Sequence, residues 1–259
     1  MTDEPGDRIV AVGALPDHGP ATVDWGPPSS ALAIGAHPDD VEFGCGATLA
    51  KWAAAGCRIH HLVLTDGSKG TWDESTSSEA LIATRKDEQR EAARRLGGGD
   101  VEFLDFVDGE LASGLGERKA VVAVIRRLRP EAVLGHDPWR RYRLHPDHRH
   151  AGWLAVDGLV AAREASMFPE LGRAHRPRAL LLWEADEPNH VERAGSAERK
   201  VEALLAHRSQ YRSTLGVEPT EGGLAGVDEL RRRIERQLAD HGGVAGVRSG
   251  EAFRLVTDL

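Results

Sequence analysis

Short apolar runs recur along the chain, each followed by a stretch of helical character, and this alternation limits what it can fold into. The runs are SALAIGA, ending near Ala36, then CRIHHLVLTDG, VEFLDFVDG, EAVLGH and ALLLWEA. Apolar runs of this length, bounded by turn residues, read as strands. Between them lie helical segments: GATLAKWAAAG closing on Gly56, Ser78 to Leu96, ERKAVVAVIRRLRP ending near Pro130, and Asp147 to Ser166. Beyond ALLLWEA come a helix near SAERKVEALLAHRSQY, an amphipathic helix at VDELRRRIERQLADHG and a closing strand at EAFRLV. Strands joined through helices give a parallel sheet with right-handed crossovers. The expectation is an α/β, Rossmann-like three-layer fold with a mostly parallel sheet and helices on both faces. With 259 residues and 41% hydrophobic composition the chain can bury one large core. Residues 29–259 are therefore expected to form a single domain, preceded by an irregular arm over residues 1–28.

Charge and cysteine content exclude several classes of function. The chain carries 33 basic against 41 acidic residues, a formal net charge of -8, so a general grip on nucleic-acid phosphates is not expected. Its two cysteines, Cys45 and Cys57, form neither a CxxC pair nor a disulfide framework. The first 28 residues lack the apolar core of a secretory signal, and no later stretch holds eighteen uninterrupted apolar residues. The expectation is a soluble, cytoplasmic protein with no integral membrane segment, for which a homo-oligomer is compatible.

Two clusters carry chemistry. AHPDDVEFGCG follows the first strand and HPDHRHAG follows the fourth, and ligands of open parallel sheets bind outside the carboxyl ends of strands. Either cluster alone is ordinary helix-entry chemistry, with an Asp as N-cap. Together they bring His37, Asp39, Asp40, His145, Asp147 and His148 within reach of one site, more than one ion needs. A catalytic zinc takes about three protein ligands and leaves a position open. Adjacent side chains in an extended turn point apart, so Asp39 and Asp40 should divide labour. If Asp40 binds the ion, with His37 and His148 completing the set, Asp39 is free to take a proton from a water the ion has acidified. Asp147 is placed to hold the His145 ring and favour its protonated form, which would stabilise an oxyanion or protonate a leaving amine.

The order of AHPDDVEFGCGATLAKWAAAG, LVLTDGSKGTW, RKDEQREAARRLG, FLDFVDGEL, HPDHRHAG and AHRSQ resembles the PIG-L/LmbE-like family of zinc-dependent N-deacetylases. That family includes deacetylases of mycothiol and bacillithiol biosynthesis and of GlcNAc-phosphatidylinositol, and the resemblance spans about Ala31 to Gln210. It implies His37, Asp40 and His148 as zinc ligands, Asp39 as general base, and His145 paired with Asp147 as the acid or electrophilic group. It further implies Arg85 as a contact to substrate or transition state, and Asp108 as an acid near sugar hydroxyls. In place of the glutamate that many members carry directly after the two aspartates, this chain has Val41, with Glu42 following. His207 in AHRSQ reads as a structural histidine and Cys45 as a small buried side chain.

The expected activity is hydrolysis of the acetamide of an N-acetylglucosaminyl-type sugar, a small-molecule partner, with one Zn2+ per chain or another divalent metal in its place. The alternatives are a metal-dependent phosphoester hydrolase and a non-catalytic metal-dependent sugar-binding protein on the same scaffold. Trp72, Trp139 and Tyr142 are candidates to line the pocket.

Overall fold

The computed structural model describes residues 20–73, 75–195 and 197–259. Its strands are β1 (Thr22–Val23), β2 (Ser30–Gly35), β3 (Arg58–Thr65), β4 (Asp100–Phe106), β5 (Ala132–His136), β6 (Ala179–Trp183), β7 (His190–Arg193), β8 (Glu218–Thr220), β9 (Gly223–Ala225) and β10 (Gly250–Val256). The helices are α1 (Asp40–Ala54), α2 (Ser78–Leu96), α3 (Leu115–Leu128), α4 (Pro146–Arg163), α5 (Glu198–Leu204) and α6 (Val227–Gly243).

Eight strands form one sheet in the order β1-β7-β10-β6-β5-β2-β3-β4, and β8 pairs with β9 as a separate hairpin. From β6 to β4 every pairing is parallel, whereas β10 runs antiparallel to both its neighbours. The fold is the expected three-layer α/β arrangement. β2 alternates between the layers: Leu32 and Ile34 pack with α3 and α4, while Ala31 and Ala33 pack under α1 and α2. A third apolar cluster joins α5, α6 and residues 211–217 behind α1. The chain leaves β2 through α1 to β3 on one side, and later places β5 on the other. The strand order therefore reverses at β2, opening a crevice beyond the carboxyl ends of β2 and β5.

Local signals explain most boundaries. Ser77 accepts from Ala80 N to cap α2, and Gly97 ends it at a φ of 119°, a conformation glycine adopts without strain. The differences from the sequence reading have physical causes. Residues 1–19 of the expected arm lie outside the described residues, and the remainder of it includes β1, which pairs with β7 at the sheet edge. β7 has the sequence HVER, too polar to announce a buried strand, yet Val191 and Glu192 are both buried. The helix expected through AHRSQ stops at Leu204, and a 3-10 turn at Arg208–Gln210 and a π turn at Tyr211–Leu215 follow. There Glu88 of α2 takes both the backbone N–H and the hydroxyl of Ser209, at 2.8 and 2.6 Å, drawing the segment out of a regular helix.

α1 begins at Asp40, six residues before the helical segment GATLAKWAAAG, because it is two helical pieces joined at Cys45, whose φ is -146°. Lys200 donates to Phe43 O at 2.7 Å, while the Glu251 carboxylate accepts from Ala47 N at 3.1 Å and Thr48 N at 2.7 Å. Lys200 and Glu251 are themselves paired at 2.7 Å, both about 1% exposed. The pair satisfies the backbone groups that the break orphans. Gly44, just before the break, lies so close to Trp183 that a Cβ there would fall 2.5 Å from the indole. Only glycine lets the first turn of α1 reach the end of β6.

Removing one member of a buried pair leaves the other charge without a partner. Glu251→Ala is therefore expected to lower stability by about 3–5 kcal/mol, read from urea unfolding, and the double variant Glu251→Leu, Lys200→Met to recover only the part due to the unpaired charge, since Ala47 N, Thr48 N and Phe43 O still lack partners.

Candidate metal centre and active site

The HPDD and HPDH turns meet. His37 stands just past β2, Asp147 and His148 open α4 after β5, and Asp108 follows β4, so three loops at the carboxyl edge of the sheet converge on one imidazole. His37 Nδ1 lies 3.4 Å from Asp40 Oδ2 and 3.2 Å from His148 Nε2, and His148 Nε2 lies 3.1 Å from Asp40 Oδ1. Zinc bonds of about 2.0–2.2 Å in a tetrahedron separate neighbouring donors by roughly 3.3–3.5 Å. The two imidazole nitrogens are spaced as in such a tetrahedron, and the Asp40 carboxylate meets them with a different oxygen each; among the described residues His37, Asp40 and His148 form a group able to hold one ion.

The far side of His37 is fixed by carboxylates. Its Nε2 is 3.1 Å from Asp147 Oδ2 and 3.3 Å from Asp108 Oδ1, which leaves Nδ1 to face the other donors. A carboxylate behind a ligating histidine fixes its tautomer and raises its basicity. Burial lowers the His37 pKa, but the Asp108, Asp147 and Asp40 carboxylates outweigh it and hold the ring well above its usual range. Asp147 is fully buried and also accepts from Gly109 N at 2.6 Å. The sequence reading paired Asp147 with His145; the structure instead turns it to His37.

His145 stacks on His148 at 4.7 Å between ring centres and meets His37 edge-on at 4.6 Å. Partial burial and the neighbouring His37 and His148 lower its pKa, against the opposing pull of Asp147 and Asp40. The ring stands on the cavity wall.

Asp39 sits outside the donor triangle, with a φ of 105°. A positive φ in a residue with a side chain costs about 1–3 kcal/mol and persists only where the surroundings impose it. Arg85 donates to Pro38 O at 2.7 Å and Gly67 O at 3.0 Å, and its Nη2 is 3.5 Å from Asp39 Oδ2. Burial pushes the Asp39 carboxyl up to about 6, against the downward pull of Arg85. Arg85 is buried and spends these donors on the HPDD and TDG turns; its helical neighbour Glu88 is taken by Ser209. Asp108 has one oxygen toward His37 and the other accepting from Lys69 N at 3.1 Å. The resemblance implies a place near sugar hydroxyls for it, and it lines the cavity together with Arg85.

Residues that sequence reasoning passed over complete the site. His136, the last residue of β5, receives hydrogen bonds on Nδ1 from Trp183 Nε1 and Arg143 Nη1, both at 3.0 Å. Because both partners only donate, the ring proton must lie on Nε2, which is 3.2 Å from Asp40 Oδ2. Burial, opposed by Asp40, lowers the His136 pKa to about 4 and keeps the ring neutral. Its place at the end of the EAVLGH strand was the available signal.

The four histidines of the site, Asp39, Asp40, Arg85 and Asp108 line a cavity of about 520 Å3 with Phe43, Lys69, Trp183, Glu184 and Gln210, while Asp147 and Arg143 stand behind its wall. Trp72, Trp139 and Tyr142, expected as candidate lining residues, stand exposed outside it. No described helix is long and apolar enough to cross a membrane.

The chain matches the PIG-L family, described as GlcNAc-PI de-N-acetylase, over residues 32–158. It is 37% identical over 238 residues to the diacetylchitobiose deacetylase of Thermococcus kodakarensis, an alignment covering 88% of this chain and 83% of that one. It is 32% identical to the 1D-myo-inositol 2-acetamido-2-deoxy-alpha-D-glucopyranoside deacetylase of Rhodococcus jostii, covering 62% and 63% of the two chains. Among solved structures, the N,N'-diacetylchitobiose deacetylase of Pyrococcus horikoshii, complexed with its inhibitor MPG, superposes with a TM-score of 0.79 at 29% identity, covering 89% of this chain and 84% of that one. With its two motif turns joined at one cavity and this similarity along most of its length, the chain belongs to the PIG-L family of de-N-acetylases.

Proposed function

We propose that the protein hydrolyses the acetamide of an N-acetylglucosamine-type sugar, with one zinc ion per chain held by His37, Asp40 and His148. The observation that carries this reading is the convergence of the three donor atoms beside a cavity that Asp39, outside the triangle, also lines. The relatives named above are deacetylases of N-acetylated amino sugars, which supports the substrate class.

Zinc so held supplies Lewis acidity toward the amide carbonyl and makes a nearby water more acidic. Asp39 acts as the general base. Its pKa of about 6 lets the carboxylate accept a proton near neutral pH and release it again. The water oxygen bonds to the acyl carbon, the C–N bond breaks, and the proton Asp39 took passes to the amine nitrogen, giving acetate and a free amino sugar. A neutral His145 donates an N–H to the carbonyl oxygen as negative charge develops there. Asp147 and Asp108 orient His37, and Arg85 holds the turn that carries Asp39. Two free, buried cysteines support a reducing cytoplasm as the place of action.

A paired-metal phosphoesterase needs two ligand sets. Among the described residues the second candidate group, His37, Asp108 and His145, shares His37 with the first, which favours a single ion.

Acetate release from N-acetylglucosamine, diacetylchitobiose and N-acetylglucosaminyl-inositol, measured with metal content, tests the reading. Turnover on at least one of these, and none on generic phosphate esters, is expected; sugar binding without acetate release would sink the hydrolase assignment. Asp39→Asn should keep the metal and lose about 10²–10⁴ in kcat. His145→Ala should keep the metal and lose about 10²–10³. His148→Ala should bind no stoichiometric zinc, and Asp147→Asn should weaken zinc affinity by about 10–100-fold in calorimetric titration.

A further inference from the structure

Asp39 is held in its unusual backbone conformation by a chain of buried groups that leads away from the cavity. Its N–H donates to Gln89 Oε1 at 2.9 Å, and Gln89 Nε2 donates to Glu42 Oε1 at 2.8 Å. Glu42 Oε2 in turn lies 3.4 Å from His207 Nε2. Gln89, Glu42 and His207 are each fully buried.

The direction of this chain is fixed by chemistry. A side-chain amide has one accepting and one donating end, and a backbone N–H only donates. Gln89 must therefore present its oxygen to Asp39 N, which turns its nitrogen to Glu42 Oε1. His207 lies against the other oxygen of Glu42 without hydrogen-bonding to it.

The peptide that joins Pro38 to Asp39 is planar, so gripping both its polar groups fixes its tilt. Its carbonyl is gripped by Arg85 at 2.7 Å and its N–H by Gln89 at 2.9 Å. Those two residues are one turn apart on the same face of α2. Rotating that plane changes φ of Asp39 and swings its Cβ, and with it the carboxylate.

We propose that Gln89, anchored on Glu42, is a positioning residue: together with Arg85 it clamps the Pro38–Asp39 peptide and keeps the Asp39 carboxylate aimed into the cavity. The proposal rests on the reading of Asp39 as general base. It gives a role to Glu42, which does not line the cavity.

Gln89→Met keeps the side-chain volume and removes both hydrogen bonds. It is expected to lower kcat for acetate release by about 10–100-fold, with KM and zinc per chain within about twofold of wild type. In the Asp39→Asn background the same substitution should cost less than about twofold, since its effect passes through Asp39. Glu42→Gln, which still offers Gln89 an acceptor, should keep kcat within about threefold, while Glu42→Leu should match Gln89→Met. A crystal structure of Gln89→Met should show residue 39 released from positive φ.

An unchanged kcat in Gln89→Met, an equal loss in both backgrounds, or a loss accompanied by depleted zinc would overturn the clamp. Should Gln89→Met fail to melt cooperatively, the Glu42 pair decides, and equal rates for Glu42→Gln and Glu42→Leu would refute it. If Asp39→Asn itself retained full turnover, the base assignment would fall and the clamp with it. A crippled Asp39→Asn beside a normal Gln89→Met overturns the clamp alone.

Discussion

The site is organised around one imidazole. The His37 ring has Asp40 and His148 against one nitrogen and Asp147 and Asp108 against the other, so groups from three separate loops meet on a single planar side chain. A ring this fully surrounded can adopt only one useful orientation, and each partner is positioned by it in return. The parallel sheet makes this possible. Strands ending at a common edge bring residues more than a hundred positions apart, such as His37 and His148, within 3.2 Å.

Concentrating so many polar groups in a buried place is unfavourable unless each finds a partner. The second layer of the site answers much of that demand, though Asp147 Oδ1 and Arg85 Nε stay without a hydrogen-bond partner among the described residues. His136 is pinned by Trp183 and Arg143, Asp147 accepts from the backbone of Gly109, and Asp108 accepts from that of Lys69. Asp39 at φ 105° and Glu184 at φ 56° are both residues of the cavity wall, and backbone strain of this kind is offset by the rigid elements around them. The break in α1 follows the same logic, with Lys200 and Glu251 closing what the kink at Cys45 leaves open.

The parallel strands and the two motif turns were legible because each has a strong local signature: apolar runs for β2, β5 and β6 and the apolar second half of β3, and histidine beside carboxylate just past two of them. That the two turns share one site was legible too, but which residue of one turn backs which residue of the other was not. Asp147 lies two residues from His145 in sequence, which suggested a pair. Yet Pro146 starts α4 and sends Asp147 inward to His37, while His145 remains on the cavity wall. β7 escaped notice because its burial comes from neighbouring strands and not from apolar content. His136 was hidden for the opposite reason, since a single histidine closing an apolar strand looks like its last residue and nothing more.

Glu42 shows how one helical step changes a residue's duty. Successive residues on α1 turn by about 100°, so positions 41 and 42 face different surroundings. Val41 packs into the apolar layer beneath α1, with a methyl 3.3 Å from where a side chain on Gly35 would begin. Glu42 faces α2 and His207 instead. A carboxylate at position 41 would meet that apolar layer, whereas at position 42 it meets the amide of Gln89 and an imidazole. Having Val-Glu after the two aspartates thus places the acid at the interface of α1 with α2, hydrogen-bonded to Gln89, and not on the sheet side of α1.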